Sequence, residues 1–400
     1  MKTILFAIHY LELGGAEKSL LALLESLDYS KVQVDLFVYA HRGELMGEIP
    51  PQVCLLPEIP EYAQVERPLA EVLRDGYVRI ALARLRAKRQ NRRYARKNHP
   101  KDGSAIYSYV ARNVLPYMPA IQPDKEYDWA VSYLFPHDYV LSKVRARKKA
   151  CWIHTDYSQI DVDIALELPV WERFDKIIAV SERVSRSFLS CFPSLEGKLK
   201  ICENRVPVGW LRSRAEQLTD KEVASEMPRV QGRLNLLSVG RFSYPKNFDN
   251  IPDICRRILA AGVDVAWYLI GFGDGEAVIR ERIAAARMED RVRILGKKVN
   301  PYPYMAACDI YVQPSRYEGS PMTVQEAKAL GKPVVITRFP TASDVIEDGR
   351  DGVIVPMDNE GCARGIAGLV RDGEKRERLA LQLQEYPDRK PVFAEWYDGE

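Results

Sequence analysis

Short apolar runs rich in β-branched residues recur along this chain. Each is followed by a glycine or polar break and then by apolar residues at helical spacing. Thr3–Ile8 is the first run; Gly14-Gly15 interrupts it, and Ala16–Leu27 carries Leu20, Leu23, Leu24 and Leu27 on one helical face. Val32–Tyr39, Asp128–Leu134, Lys149–His154 and Lys176–Val180 repeat the strand pattern. A second series follows at Leu234–Val239, Val265–Ile270, Val292–Leu295, Ile310–Gln313, Pro333–Ile336 and Gly352–Val355, with helices between them, notably Pro321–Leu330. Strands alternating with helices predict parallel, doubly wound α/β sheets. Between the two series Ser213–Arg233 is polar and poor in large apolar residues, which reads as a linker. We therefore expect two Rossmann-like domains, residues 1–212 and 213–386, and a tail over 387–400 that packs back on the first. A ligand cleft is expected between the carboxyl edges of the two sheets.

A chain of 400 residues is too long for one ordinary core, in keeping with two domains. Its formal charge of +3 is nearly neutral, which argues against a nucleic-acid partner for the chain as a whole. No stretch approaches the ~18 apolar residues of a membrane span. The run after Lys2 is short for a secretory signal, because His9 and Glu12 end it. The seven cysteines are scattered, with no C-x-x-C pair, which suits free thiols in a reducing cytoplasm better than disulfides or zinc.

Three features of the second half carry chemistry. Leu234–Val239 delivers Gly240 to a sheet edge, where the missing Cβ admits a close neighbour. Arg241 and Lys246 follow on one loop, as a forked and a point-like phosphate partner. Glu318 precedes, and Glu326 lies within, a helix opened by Ser320 as a cap and Pro321 in its first turn; N–H groups there favour an anion. Eight helical residues span ~12 Å, whereas the paired carboxyls of glycosidases stand ~5 to ~9.5 Å apart. The two glutamates thus read as clamps at opposite ends of a long ligand. Gly271-Phe272-Gly273-Asp274-Gly275 stops short of a dinucleotide fingerprint, because position 276 is Glu, and reads as a tight strand-to-helix turn.

The run V-G-R-x4-K, then I-G-x-G-x-G, then Tyr302 onward through Y-E-G-S-P-M-T-V-Q-E-A-K-A-L-G-K-P-V-V, resembles the retaining group 1 glycosyltransferases of family 4 over roughly Leu234–Pro356. The resemblance implies a GT-B fold. It implies that Arg241 and Lys246 bind the donor diphosphate, that Glu318 contacts the transferred sugar, and that Glu326 contacts the ribose. Gly319, Ser320, Pro321, Met322 and Thr323 would cradle donor oxygens with their backbone. Asp351-Gly352 is similar to the family's closing structural turn. In the first half, Gly14-Gly15-Ala16-Glu17 resembles the glycine-rich first loop that faces the donor phosphates and acceptor. His154, at the end of a strand, resembles a histidine placed near the sugar. His9 is a weaker candidate. Ser181-Glu182 and Asn204-Arg205-Val206 resemble structural elements on the hinge side.

Asp161-Val162-Asp163 spells D-x-D, a metal motif of a different glycosyltransferase fold. Two aspartates so spaced occur often by chance, and we expect no metal: Arg, Lys and a helix N-terminus would take its charge role. Tyr77–Asn98 holds nine Arg and Lys residues and no acid. It is a solvated helical face or a contact for an anionic membrane surface, where each cation adds about 1 kcal/mol. Ile80, Leu82 and Leu85 supply apolar surface that Arg84 and Arg86 interrupt.

The expected reaction is transfer of a sugar from a UDP- or GDP-sugar donor to a glycan or lipid-linked acceptor in cell-surface polysaccharide synthesis. Retention of configuration, no required cofactor, no metal, and a cytoplasmic or peripheral membrane location complete the expectation. Two alternatives stay open: an epimerase or phosphorylase on the same fold, and a non-catalytic nucleotide-sugar-binding adaptor.

Overall fold

The computed structural model describes residues 1–203, 208–318, 321–384 and 386. The tail over 387–400, the Asn204-Arg205-Val206 element, Gly319 and Ser320 lie outside the described residues. The chain divides into two compact units, Met1–Asn204 and Arg205–Arg389.

Among the described residues the first unit holds seven strands: β1 (Lys2–Ile8), β2 (Val32–Val38), β3 (Cys54–Leu55), β4 (Tyr127–Ser132), β5 (Ala146–Ile153), β6 (Lys176–Ala179) and β7 (Leu199–Ile201). The second holds six: β8 (Leu234–Val239), β9 (Val265–Ile270), β10 (Val292–Gly296), β11 (Ile310–Gln313), β12 (Val334–Thr337) and β13 (Val353–Val355). The sheet orders are β3-β2-β1-β4-β5-β6-β7 and β10-β9-β8-β11-β12-β13. Every pair is parallel. Helices cover both faces of such sheets, so their strands are apolar throughout rather than alternating. All six residues of β9, Val-Ala-Trp-Tyr-Leu-Ile, are buried. Each fully buried aliphatic side chain contributes roughly 1.5–3 kcal/mol of transfer free energy.

The strand order reverses between β1 and β4 in the first unit and between β8 and β11 in the second. At such a switch point neighbouring connections run to opposite faces and leave a crevice beyond the strand ends, where α/β proteins bind ligands. The second switch point receives Gly240 from β8 and Gln313 from β11. The first receives His9 from β1 and Leu134 from β4, with the end of β5 beside it.

Strands β3 and β7 were not foreseen. They are edge strands of two and three residues, held by pairing with β2 and β6 rather than by a pattern of their own. The segment read as a linker, Ser213–Arg233, instead holds the end of the helix Val208–Ala215 and the whole of the helix Asp220–Glu226, the latter opened by a complete Thr219/Glu222 capping box. Val223 and Met227 within the segment, and Leu211 just before it, are buried in the second unit's core; these apolar anchors suffice to dock an otherwise polar stretch. The helix expected at Pro321–Leu330 spans Met322–Ala329, with Pro321 at the cap position instead of in the first turn.

The basic stretch is helical over Val78–Asn98. Ile80, Ala81 and Ala83 pack into a cluster with Leu5, Ala7 and Phe37, so Ile80 belongs to the core rather than to an apolar surface. Arg84 also turns inward and donates to the carbonyls of Gln64 (3.0 Å) and Arg67 (2.6 Å). Among the described residues no helix is long and apolar enough to cross a membrane.

Candidate active site

Two loops meet beyond the second switch point. After β8 the chain passes Gly240 and Arg241 into a tight turn, Tyr244–Lys246. Buried Asn247 follows with φ 60°, a left-handed conformation that asparagine tolerates, and its side chain donates to the Pro314 carbonyl at 2.8 Å. After β11 comes Pro314–Glu318. Arg316 ties the loops together: its N–H donates to the Pro245 carbonyl (2.7 Å), and its guanidinium donates to the Tyr244 carbonyl (2.6 Å) and forks onto Asp249 (2.9 Å twice). Burial pushes the Asp249 carboxyl up, but Arg316 outweighs it and the net shift is downward.

This stitching brings Lys246 against Glu318. The ammonium lies 2.7 and 2.9 Å from the two carboxylate oxygens. Oε1 of Glu318 also accepts from Ser315 Oγ (2.5 Å) and Gln313 Nε2 (3.0 Å). Thr341 Oγ1 holds the Glu318 carbonyl at 2.9 Å. Glu326, in the helix Met322–Ala329, is buried and accepts from Tyr302 Oη at 3.0 Å. The two glutamates therefore have separate partners and do not form a couple. Gln313 connects their surroundings, because its carbonyl oxygen accepts from Thr323 Oγ1 (3.3 Å) on the helix that carries Glu326. Arg241 stands apart: it is exposed, with its guanidinium 6.0 Å from the Phe272 ring.

The glycines of the third feature, Gly271, Gly273 and Gly275, pack backbone against backbone. Phe242 N–H donates to the Phe272 carbonyl (2.7 Å), and Gly275 N–H donates to the Phe242 carbonyl (2.9 Å). A Cβ on Gly271 would lie 1.9 Å from the Gly240 oxygen, and one on Gly273 2.7 Å from the Phe242 oxygen. The G-F-G-D-G run thus lets its turn sit directly on the Gly240–Phe242 loop, and Gly240 itself is approached by Gly271 and by the Lys246 stem.

In the first unit His154 lies just past β5. It lines a hollow of about 460 Å3 with His9, Tyr10, Tyr107, Trp152 and Trp171. Its ring is buried against Tyr133 at 4.8 Å, and its Nε2 has no hydrogen-bond partner among the described residues. Burial drives its pKa down to about 4, against a weaker upward pull from the Tyr133 backbone. His137, on the same wall, falls to about 3 through burial and repulsion from His154, and its Nδ1 sits 2.8 Å from Ser132 Oγ. Glu167 is buried with its carboxyl pushed up by desolvation, against hydrogen bonds from Ser108 and Trp171. His9 is lowered by burial, the nearby Glu66 carboxylate opposing, and contacts the Phe135 carbonyl (3.2 Å) and Glu66 (3.2 Å). Gly14 caps the helix Gly15–Glu25, and a Cβ on Gly15 would meet open space.

Sequence reasoning missed Gln313, Tyr302, His137 and Glu167. Gln313 left a signal, a lone amide ending an otherwise apolar strand; the others left none. The D-x-D aspartates serve as structural acceptors. Asp161 receives the Lys101 N–H; Asp163 receives Tyr109 Oη (2.6 Å) and caps the helix Ile164–Trp171. Among the described residues no group of three or more His, Cys, Asp or Glu is arranged to hold a metal ion.

Two doubly wound parallel sheets with these switch points define the GT-B class of α/β fold, which this chain has. Residues 221–385 match the family model of glycosyl transferases group 1. The lipopolysaccharide core biosynthesis glycosyltransferase LpsE of Rhizobium meliloti is 32% identical over 146 residues, 36% of this chain and 42% of that protein. The amylovoran biosynthesis glycosyltransferase AmsK of Erwinia amylovora is 31% identical over 145 residues, 34% of this chain and 35% of that protein. These alignments span less than half of each relative's length. Over nearly the full chain, HepE of Anabaena, solved with UDP-glucose, superposes with a TM-score of 0.63 at 17% identity, covering 99% of this chain and 95% of that one. WaaG, a glycosyltransferase involved in lipopolysaccharide biosynthesis, superposes at 0.62 and 14% identity, covering 99% and 97%.

Proposed function

We propose that this chain is a retaining, metal-independent glycosyltransferase of family 4. It takes a UDP- or GDP-sugar as donor and a glycan or lipid-linked acceptor, in cell-surface polysaccharide synthesis. The observation that carries this reading is the Lys246–Glu318 pair at the β8/β11 switch point, with Arg241 exposed on the same loop. The names of LpsE and AmsK and the UDP-glucose bound to HepE support it.

In this reading the diphosphate draws Lys246 and Arg241 onto its oxygens, with the first turn of the helix Met322–Ala329 beside it. Pro321, Met322 and Thr323 line the donor, together with Gly319 and Ser320. Glu326 holds the ribose, and Glu318 accepts from a sugar hydroxyl. The anomeric carbon–phosphate oxygen bond breaks and its electron pair leaves with the nucleoside diphosphate. The acceptor oxygen bonds to the same face of that carbon, and its proton passes to the departing phosphate oxygen. The cations stabilise the charge that develops on the leaving group, the role a metal has elsewhere. In the first unit Gly14, Gly15 and the His154 hollow serve the acceptor and the sugar, with His154 as a neutral hydrogen-bonding group.

The anionic-membrane reading has its own geometry. Val78, Leu82 and Leu85 are exposed on one helical stripe that continues as Arg89, Arg92 and Arg96. Three apolar side chains followed by three cations suit insertion at an anionic lipid surface.

Calorimetry and nucleoside diphosphate release across a panel of UDP- and GDP-sugars, with and without a chelator, test the assignment. Binding and release that survive chelation are expected; absence of nucleotide-sugar binding would overturn it.

A further inference from the structure

Gln313, at the end of β11, is fully buried with every polar atom engaged. Its Oε1 accepts from Tyr311 Oη (2.7 Å) and Thr323 Oγ1 (3.3 Å), and its Nε2 donates to Ser315 Oγ (2.8 Å) and Glu318 Oε1 (3.0 Å). The orientation of this amide is chemically determined. The hydroxyls of Tyr311 and Thr323 can donate, whereas a carboxylate only accepts, so nitrogen must face Glu318.

The four hydrogen bonds to the Glu318 carboxylate, from three donors, are unevenly spread. Among the described residues Oε1 accepts from Lys246, Ser315 and Gln313, while Oε2 accepts from Lys246 alone. Ser315 and Gln313 are neutral and rooted in the buried end of β11. Lys246 is a flexible cation on the facing loop, and it is the group a bound diphosphate would compete for. If Lys246 turns to phosphate, Oε1 keeps two anchors and Oε2 keeps none among the described residues.

We propose that Gln313 is a positioning residue: with Ser315 it pins Glu318 Oε1 after Lys246 has moved to the donor diphosphate, leaving Oε2 as the oxygen that accepts a sugar hydroxyl. This rests on the glycosyltransferase reading and assigns an order of events within it. The Lys246–Glu318 contact is the donor-free arrangement, and the Gln313–Glu318 contact persists when the donor is bound.

The test uses the full chain with the donor sugar that the wild type turns over and with the matching free nucleoside diphosphate. Gln313→Met keeps the volume and removes both polar functions. Nucleoside diphosphate affinity should stay within about threefold, because Lys246 and Arg241 are untouched, while turnover at saturating donor falls about tenfold or more as Glu318 loses its alignment. Gln313→Glu keeps the acceptor for Tyr311 and Thr323 and loses the donor toward Glu318. Its turnover should be lower still at neutral pH and should recover as the pH falls, since a protonated carboxyl there can donate again. Glu318, Lys246, Tyr311 and Glu326 are the ionisable groups around it, and all are common to the wild type, whose turnover should not rise on acidification. Wild-type turnover in Gln313→Met would overturn the inference, as would a parallel loss of nucleotide affinity and turnover, the mark of a purely structural role. A wild type that neither binds nor turns over any nucleotide sugar would overturn the glycosyltransferase reading, and this inference with it.

Discussion

The ammonium of Lys246 bridges both carboxylate oxygens of Glu318, at 2.7 and 2.9 Å, across 72 residues of chain. The carboxylate is nearly buried and the lysine about one-fifth exposed. Removing the cation with Lys246→Met leaves the carboxylate with its Ser315 and Gln313 donors. The expected loss is therefore about 1–2 kcal/mol of stability rather than that of an orphaned buried charge. Donor affinity should fall at least tenfold, since a charge-assisted phosphate contact goes with it. Urea denaturation of Lys246→Met, Glu318→Gln and the double variant should give a double loss smaller than the sum of the two single losses.

Tyr302→Phe removes one hydrogen bond to the buried Glu326. About 1 kcal/mol of stability should be lost. Donor binding should weaken by a few-fold, with turnover at saturation retained, because the proposed ribose contact lies away from the breaking bond. Calorimetry with the donor and with its 2′-deoxyribose analogue would detect this; the analogue should bind both proteins with more similar affinities.

In the folded chain burial takes His154 down to about 4 and His137 to about 3, from the ordinary histidine value of 6.5. The unfolded chain therefore binds more protons between roughly pH 3 and 6.5, and stability is lost as the pH falls through that window. Melting temperatures recorded from pH 7 to pH 4 should decline, and His154→Gln should flatten the decline. A decline as steep in the variant as in the wild type would remove His154 from the account.

Asp163 holds Tyr109 and the start of the helix Ile164–Trp171. Asp163→Ala should cost about 1–2 kcal/mol through the lost cap and hydrogen bond. If the aspartates are structural, nucleoside diphosphate release should be the same in excess chelator and in added Mg2+ or Mn2+, in wild type and variant alike. Stimulation by metal that depends on Asp161 or Asp163 would refute that assignment.

Vesicle co-sedimentation examines the basic helix. The wild type should bind vesicles containing anionic phospholipid and not neutral ones. Arg89→Glu with Arg92→Glu should abolish binding without changing donor affinity. Equal binding to neutral vesicles, or none to either, would refute the membrane reading, and retention on RNA in its place would reassign the helix.

Every apolar run read as a strand is a strand, because a parallel sheet buried on both faces demands unbroken apolar sequence, and that demand is local. Leu234–Val239 and Val265–Ile270 match to the residue. Strands β3 and β7 escaped notice because their partners, not their side chains, make them strands. The stretch Ser213–Arg233 misled because two buried apolar residues, Val223 and Met227, carry little weight in a composition window, although with Leu211 just before it they anchor two helices.

The residue types able to meet a diphosphate sugar were legible in order and spacing: a glycine, an arginine and a lysine after one strand, and a glutamate before and within one helix. Where their charges go was not. That Lys246 spends its charge on Glu318, that Gln313 and Ser315 crowd one oxygen and leave the other to the lysine, and that His154 is neutral all depend on atoms far apart in the chain. Hydrogen bonds and desolvation act over a few ångströms, and only the folded sheet brings residues 246, 313 and 318 within that range.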